Sequence, residues 1–208
     1  LLEKFYYVQR TFGEAEEYMN NPYLIDDIGK KSIEDVKSML PFLKKIPARM
    51  ECYDISNISG KEAVGSMVVA INGKIDKGEY RKFRIKFKQK PDDFAMIYEV
   101  LYRRLKRETK KDEKKSWGMP DLVIVDGGKP QVTAGESAVK DLDLTIPVIG
   151  LAKKYETIVY MEDGVFKEKN FPKNSLGMRL IISLRNEAHR FAQSYHYLLR
   201  EKSLHGKL

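Results

Sequence analysis

Four residues carry side chains that could together hydrolyse a substrate with the help of a divalent metal: Asp54, Asp93, Asp126 and His189. Asp54 lies near the end of an alternating, strand-like segment, and Asp126 follows the apolar run at 122–125. If these two strands are neighbours, their backbones lie about 4.8 Å apart and the two carboxylates can share one ion. Mg²⁺ or Mn²⁺ is the expected cofactor, because both cations favour hard oxygen ligands.

Each of these residues also has a structural interpretation. Asp126 precedes Gly127-Gly128 and could form an Asx turn. Asp93 lies at a predicted helix start, where a carboxylate is favourable without any catalytic role. His189 is predicted at the edge of the apolar stripe of a C-terminal helix, where it could be purely structural. It could equally bind a second ion or shuttle a proton near neutral pH.

Basic residues near the same positions could contact a nucleic-acid backbone. The net charge is +8 and the isoelectric point is about 9.3. Such a surplus favours a polyanionic partner, because cations that neutralise phosphates release the counterions of the nucleic acid. Six residues that flank the predicted strand ends, or that precede or follow His189, are predicted to bind nucleic acid: Tyr80, Arg81, Lys129, Lys153, Arg185 and Arg190.

The elements that position these residues follow the order β-β-β-α-β-α-β, then an inserted hairpin at 158–167 and a long helix. Residues 50–55 alternate with period two, Asn72-Gly73 indicates a hairpin, and a third strand is expected over 79–87. The uninterrupted apolar run at 122–125 is typical of a buried parallel strand. We predict an α/β, RNase H-like fold with three antiparallel strands, parallel strands beside them and helices on both faces. A right-handed crossover places the fourth strand next to the first.

We predict that residues 1–47 form a helical N-terminal extension or linker, with a helix starting at Ser32, and that residues 48–208 form the RNase H-like domain. The single cysteine, Cys52, is interpreted as a core residue and excludes an internal disulfide. No apolar run reaches the roughly 18 residues of a membrane span, and no signal-peptide pattern is present. A cytoplasmic protein without membrane contact is therefore expected.

Six ordered stretches resemble one known family, the C-terminal nuclease half of the UvrC proteins, which are the incising components of the excinuclease ABC of bacterial nucleotide excision repair. Each stretch alone has low specificity, whereas the ordered set is highly specific. The stretches are Glu51–Ser56 (ECYDIS), Glu79–Phe83 (EYRKF), Asp92–Met96 (DDFAM), Pro120–Lys129 (PDLVIVDGGK), Ile149–Lys153 (IGLAK) and Arg185–Ala192 (RNEAHRFA).

The resemblance implies a DNA endonuclease domain that makes the 5′ incision beside a lesion. It implies that Asp54, Asp93 and Asp126 are the catalytic acids and that His189 is the catalytic histidine. The implied partners are lesion-bearing double-stranded DNA and the damage-recognition component of the same repair system, UvrB. The family usually has Asp where this chain has Asn186, which keeps the hydrogen bonding but loses the charge of an ion ligand.

Two other interpretations of the sequence remain open. The chain could be a catalytically silent RNase H-like domain that binds DNA or a partner protein, which the basic charge fits equally well. It could also be another RNase H-like nuclease, such as a resolvase or an Argonaute-type enzyme. The presence of all four candidate catalytic residues favours a nuclease, because a pure binding domain does not need clustered acids facing phosphates. Neither a one-metal nor a two-metal mechanism is selected by the sequence.

Overall fold

The computed structural model describes residues 22–58, 62–86, 92–109, 116–153 and 155–205. Within these ranges the chain forms eight strands and four α-helices. The strands are β1 (Arg49–Ile58), β2 (Glu62–Ile71), β3 (Lys74–Ile75), β4 (Arg81–Arg84), β5 (Leu122–Asp126), β6 (Val148–Ala152), β7 (Thr157–Glu162) and β8 (Val165–Lys169). The helices are α1 (Pro22–Met39), α2 (Asp93–Thr109), α3 (Lys129–Lys140) and α4 (Leu176–His205). The helical pattern expected before residue 22 lies outside the described residues.

All eight strands belong to one mixed sheet in the order β3-β2-β1-β5-β6-β7-β8, with β4 paired to the other end of β2. β1, β2 and β4 pair antiparallel, whereas β1, β5 and β6 are parallel. This arrangement confirms the predicted RNase H-like fold. The pairing of β1 with β5 places Tyr53 beside Val125, so the following residues, Asp54 and Asp126, come side by side at the C-terminal end of β5.

The sheet is covered on both faces because its strands alternate between two separate cores. Met50 and Cys52 on β1 are fully buried in the core under α1 and α4. Tyr53 on the same strand points the other way, into the core under α2 and α3. Each large apolar side chain buried in this way contributes roughly 1.5–3 kcal/mol relative to an exposed one. The two cores fix which side chains of β1 face α4, and Asp54 is among them.

The turn between β2 and β3 confirms the predicted hairpin. Asn72 and Gly73 have φ angles of 51° and 78°, as a type I′ turn requires. The third long strand is shorter than expected, because β4 covers only residues 81–84 and pairs with residues 64–67 of β2. Phe87, which the sequence placed in that strand, lies outside the described residues.

The predicted helix start at Ser32 is wrong, because α1 runs without interruption from Pro22. The Ser32 hydroxyl donates to the Ile28 carbonyl one turn earlier, at 2.7 Å, and therefore sits inside the helix and not at its N-cap. Val36 and Leu40 are fully buried in the core that α4 also covers. Residues 22–47 thus contribute to the core of the fold, and a domain boundary at residue 47 stays a prediction.

The hairpin interpreted as an insert extends the main sheet instead. β7 pairs antiparallel with β6, placing Tyr160 beside Ile149, and β8 pairs with β7. Ile158 and Tyr160 are buried on the α4 side, so the hairpin continues the core outward. In the part of the chain that the structure describes, no helix is both long and apolar enough to cross a bilayer.

Candidate active site

Three side chains with metal-binding atoms meet where β5 ends beside β1, which itself continues four residues beyond Asp54 to Ile58. One carboxylate oxygen each from Asp54 and Asp126 and one ring nitrogen of His189 all lie within 4.8 Å of one another. The two acids come from neighbouring parallel strands, and the histidine comes from α4, which crosses this edge of the sheet. Their side chains are 9%, 2% and 53% exposed, respectively. The cluster is therefore a pair of buried acids beneath a half-exposed imidazole.

A glycine turn after β5 fixes the position of Asp126. Gly127 has a φ of 150°, which side-chain-bearing residues rarely adopt. A Cβ atom on Gly127 would lie 2.6 Å from the Gln131 side chain, which instead accepts a hydrogen bond from the Gly128 N–H at 3.0 Å. The Gly127 carbonyl in turn packs against Gly150 of β6, where a Cβ would approach it to 2.6 Å. The chain can thus leave β5 at once, directly after the carboxylate.

Ser66 fixes the distance between the sheet and α4. This fully buried residue lies opposite Asp54 in the β1–β2 pairing. Its hydroxyl is 3.2 Å from the Asp54 carbonyl and 3.1 Å from the Ala188 carbonyl, so one proton is shared between a strand and a helix. Because Ala188 directly precedes His189, this contact holds the imidazole above Asp54.

Both nitrogens of His189 have partners. Nδ1 lies 3.3 Å from Asp54 Oδ2, and Nε2 lies 2.9 Å from Nε2 of Gln193, one helical turn later. An amide nitrogen can only donate, so in this arrangement Nε2 of His189 accepts a hydrogen bond from Gln193. Nδ1 then carries the ring proton and donates a hydrogen bond to Asp54. Rotating the Gln193 amide by 180° would present its oxygen instead and leave Nδ1 free to bind a cation. Gln193 therefore supports either tautomer.

The electrostatics of the cluster favour a cation. Burial, followed by the charge of Asp126, raises the pKa of Asp54, and the nearby His189 and Lys153 oppose this shift only in part. Within the described residues, Oδ1 of Asp126 is buried and has no hydrogen-bond partner. A buried carboxylate oxygen without a donor is costly, and a hard cation bound by both acids would satisfy it. The residues present therefore fit Mg²⁺ or Mn²⁺.

Asp93 is not brought into this cluster. It is the first residue of α2 and is exposed. Asp92 supplies the cap, because its Oδ1 accepts a hydrogen bond from the Ala95 N–H. An acid in the first turn is stabilised by the helix dipole, which accounts for Asp93 without a catalytic role. Its assignment as a catalytic acid rests on the sequence resemblance alone and stays a prediction.

Two of the predicted phosphate-binding residues lie at the cluster. Lys153, just after β6, places Nζ 3.1 Å from Asp126 Oδ2 and is 69% exposed. Arg185 lies one turn before His189 on α4, but both of its terminal nitrogens contact the Glu156 carboxylate. A bidentate pair of this kind holds the guanidinium in place, so Arg185 is oriented by the protein before any substrate arrives.

Tyr80 and Arg190 join each other through one acid beside the cluster. The Tyr80 hydroxyl donates to Glu187 at 3.0 Å, and Arg190 contacts both oxygens of the same carboxylate at 2.6 Å. Burial, followed by the hydrogen bond to Glu187, raises the pKa of Tyr80 well above that of an ordinary tyrosine. The hydroxyl therefore remains a neutral donor, and these two residues form a surface next to His189.

The last two predicted phosphate-binding residues point elsewhere. Arg81 lies with its guanidinium carbon 4.8 Å from the centre of the Trp117 ring, and Phe83, two residues later, is buried in the core under α2 and α3. Arg81 is thus on the face of the sheet opposite the acids. Lys129 pairs with Glu168 on β8 at 2.7 Å. Their role in binding DNA stays a prediction that the geometry does not favour.

Sequence reasoning missed the residues that hold the site in place. Ser66 and Gln193 support His189, and Glu156 and Glu187 orient the neighbouring arginines and Tyr80. One signal was available, because Gln193 follows His189 by four residues and therefore shares its side of α4. Ser66 gave no signal, since its role depends on a helix 122 residues further along the chain.

Comparisons with known proteins identify the family. A family model described as the UvrC RNAse H endonuclease domain matches residues 39–193. A UvrABC system protein C from Methanococcoides burtonii is 42% identical over 80% of this chain and 27% of its own length. The Chlorobaculum tepidum protein of the same name is 40% identical over 88% of this chain and 29% of its own length. The chain thus spans just over a quarter of these two curated relatives.

Among solved structures, human ENDOV matches with a TM-score of 0.48 and 11% identity, over 74% of this chain and 86% of that one. The family model covers most of the chain and includes Asp54, Asp126 and His189. The chain belongs to the UvrC RNase H endonuclease domain family.

Proposed function

We propose that this chain is a divalent-metal-dependent DNA endonuclease domain that makes the 5′ incision beside a lesion in nucleotide excision repair. It would act in the cytoplasm on damaged double-stranded DNA, together with the damage-recognition component UvrB. The UvrABC system names of its relatives support this role. The observation that carries the proposal is the cluster of Asp54, Asp126 and His189, with metal-binding atoms within 4.8 Å of one another.

The proposed ion site consists of the two aspartates. Asp54 and Asp126 would hold Mg²⁺ or Mn²⁺ through one oxygen each, and the unpartnered Oδ1 of Asp126 supports this assignment. When bound, such an ion lowers the pKa of a coordinated water and neutralises charge on the phosphate. His189 is either a third ligand or the group that carries a proton at Nδ1. Asp93 is not part of this set, and its catalytic role stays a prediction from the sequence resemblance.

The other side chains bind and orient the DNA backbone. Lys153 and Arg185 place positive charge next to the acids, where the phosphates that neighbour the scissile one would lie. Arg185 is held by Glu156, so little conformational freedom is lost when it contacts the substrate. A surface that only bound DNA would gain nothing from two buried acids facing the phosphates, because the carboxylates and the phosphates are both negatively charged and repel each other.

The proposal is tested by the Asp126→Asn variant of the protein, supplied with the UvrA and UvrB components and a lesion-bearing duplex. Asn has the same shape but no charge, so we expect the 5′ incision rate to fall at least about a hundredfold, equivalent to roughly 2.7 kcal/mol. Asp143→Asn is the matched control. Asp143 lies in the turn that connects α3 to the start of β6 and has a φ of 53°, which Asn adopts as readily as Asp, so this variant should incise normally.

Incision by Asp126→Asn within tenfold of the unmodified protein would contradict the proposal. A parallel Mn²⁺ titration tests the alternative of a catalytically silent domain. That alternative predicts no Mn²⁺-dependent rise in the melting temperature of the unmodified protein, whereas an ion bound only by the folded state must raise it. Circular dichroism of both variants shows whether any loss of incision results from unfolding.

A further inference from the structure

Five strands place a row of side chains across the face of the sheet that α4 covers. Lys82 on β4 pairs with Ser66 on β2, and Ser66 pairs with Asp54 on β1. Asp126 lies beside Asp54 in the parallel register, and β6, which Lys153 follows, pairs with β5. Residues directly opposite one another in a sheet point to the same face. The acids therefore lie in the middle of a row that has a lysine at each end.

Contacts with α4 show where the Lys82 side chain goes. Its Nζ lies 4.5 Å from the centre of the Phe191 ring, and Phe191 follows His189 by two residues. Tyr80 packs edge-on against the same ring, with centroids 5.0 Å apart. Burial lowers the pKa of Lys82, in keeping with an amine partly withdrawn from water against an aromatic ring. Lys82 is thus on the same face as the acid cluster, whereas its neighbour Arg81 is on the other face.

We propose that Lys82 binds a backbone phosphate of the incised DNA strand, and that this strand crosses the sheet from β4 to β6 over the acid cluster. The proposal rests on the proposed function and assigns a residue that positions the substrate at the same site. Lys82 does not touch the reacting atoms. Lys82 and Lys153 lie at opposite ends of the row. By holding one phosphate, Lys82 determines which other phosphate of the strand lies above Asp54 and Asp126.

The dimensions of the row agree with this path. β4 and β1 are separated by two strand spacings, so their backbones lie about 10 Å apart. That distance corresponds to roughly three nucleotides at the 3.4 Å rise of one strand of duplex DNA. β6 is two spacings from β1 in the other direction. A strand lying along the row would therefore meet a cation on each side of the bond to be cut.

Salt dependence of DNA binding tests the role of Lys82. Duplex binding is measured by fluorescence anisotropy over a series of salt concentrations, in Ca²⁺ so that no incision occurs. Each phosphate contact contributes about 0.9 to the slope of log affinity against log salt. We expect Lys82→Met to lower the slope by about that amount and to weaken binding several-fold. The methionine keeps an apolar stem against Phe191, so the fold is preserved.

Two further variants distinguish a phosphate contact from a general effect. Lys82→Arg should restore the slope, because it restores the charge. Lys140→Met removes the same charge from the exposed end of α3, at the opposite edge of the sheet, and should leave the slope unchanged. Equal slopes for Lys82→Met and Lys140→Met would overturn the proposal, and so would the absence of any DNA binding by the unmodified protein.

The path across the sheet is tested with duplexes that carry one neutral methylphosphonate near the incised bond. We expect Lys82→Met to abolish the effect of the substitution at one position, and Lys153→Met to abolish it at a position on the other side of the bond. Coupling of both lysines to positions on the same side would overturn the path. Failure of the proposed function is separable, because it is read from Asp126→Asn incision and not from binding.

Discussion

Strand β1 carries two buried acids three residues apart, and the protein treats them in opposite ways. Glu51 is fully buried on the α2 side and accepts hydrogen bonds from Arg104 at 2.7 Å, from Arg49 at 2.8 Å and from Tyr53 at 2.6 Å. Its charge is neutralised by cations that are themselves shielded from water, since Arg104 is also fully buried. This centre, which we call the Glu51 ion network, takes its countercharge from within the chain, although Nε and Nη1 of Arg104 have no hydrogen-bond partner among the described residues.

The acid cluster on the other face has no buried cation of this kind among the described residues. Asp54 meets a second acid, Asp126, and the groups beside them are the half-exposed imidazole of His189 and the largely exposed ammonium group of Lys153. A second carboxylate raises the cost of burying the first, whereas a buried arginine offsets it. The two centres therefore differ in where the countercharge comes from: the chain supplies it to Glu51, whereas under the proposed function a bound cation supplies it to Asp54 and Asp126.

The largest effect is expected from breaking the Glu51 ion network. Arg104→Met leaves Glu51 buried without its main partner, so the free energy of unfolding should fall by about 3–5 kcal/mol in urea denaturation. Lys153→Met is the matched change in the acid cluster. Because Lys153 is exposed, its loss should cost less than about 1 kcal/mol.

A double variant separates charge burial from lost packing in the same network. Glu51→Gln combined with Arg104→Met removes both charges and should recover part of the stability lost in Arg104→Met. If the single and double variants were equally unstable, packing around Arg104 and not its charge would hold the network together. The contrast between the two buried acids would then lose its basis.

The sequence predicted the functional centre better than the structural one. Asp54 and Asp126 were predicted to meet because each was expected at or near the end of a strand and the crossover rule makes those strands neighbours, although β1 in fact continues to Ile58. Glu51 carries the same kind of side chain in the same strand, yet its partner Arg104 is 53 residues away on a helix. Pattern rules give the face on which a residue lies, but not which residue packs against that face.

The alternation of side chains along β4 explains why Arg81, predicted to bind DNA, lies on the face opposite the acids. Arg81 and Phe83 alternate together in the sequence, so an apolar Phe83 already indicates that Arg81 faces a core and that Lys82 faces the other way. The start of α1 and the place of the β7–β8 hairpin could not be derived in this manner. Helix α1 packs against α4, which is distant in the chain. The hairpin pairs with β6, and no local sequence pattern predicts that pairing.

An intermediate effect is expected at Gln193, which gives the acid cluster the only supporting contact that can serve both tautomers of His189 among the described residues. Gln193→Ala removes that contact but no charge, so Mn²⁺ affinity measured by calorimetry should fall about tenfold. Ser183→Ala on the same helix, whose hydroxyl bonds only its own backbone at Leu180 among the contacts seen, should leave it unchanged. Unaltered affinity in Gln193→Ala would remove His189 from the ion site.

The smallest effect is a pH dependence that only the acid cluster should show. Burial and then the charge of Asp126 raise the pKa of Asp54 in the folded protein. Between the ordinary aspartate pKa of about 3.9 and the raised value, the folded state binds more protons than the unfolded state, so stability falls as pH rises through this window. Asp126→Asn removes the contribution of the Asp126 charge. In EDTA, the free energy of unfolding of this variant, taken relative to that of the unmodified protein, should therefore be higher at pH 7 than at pH 4. A stability difference that is the same at both pH values, measured by urea denaturation, would show that the two carboxylates do not repel each other, and the need for an external cation would disappear.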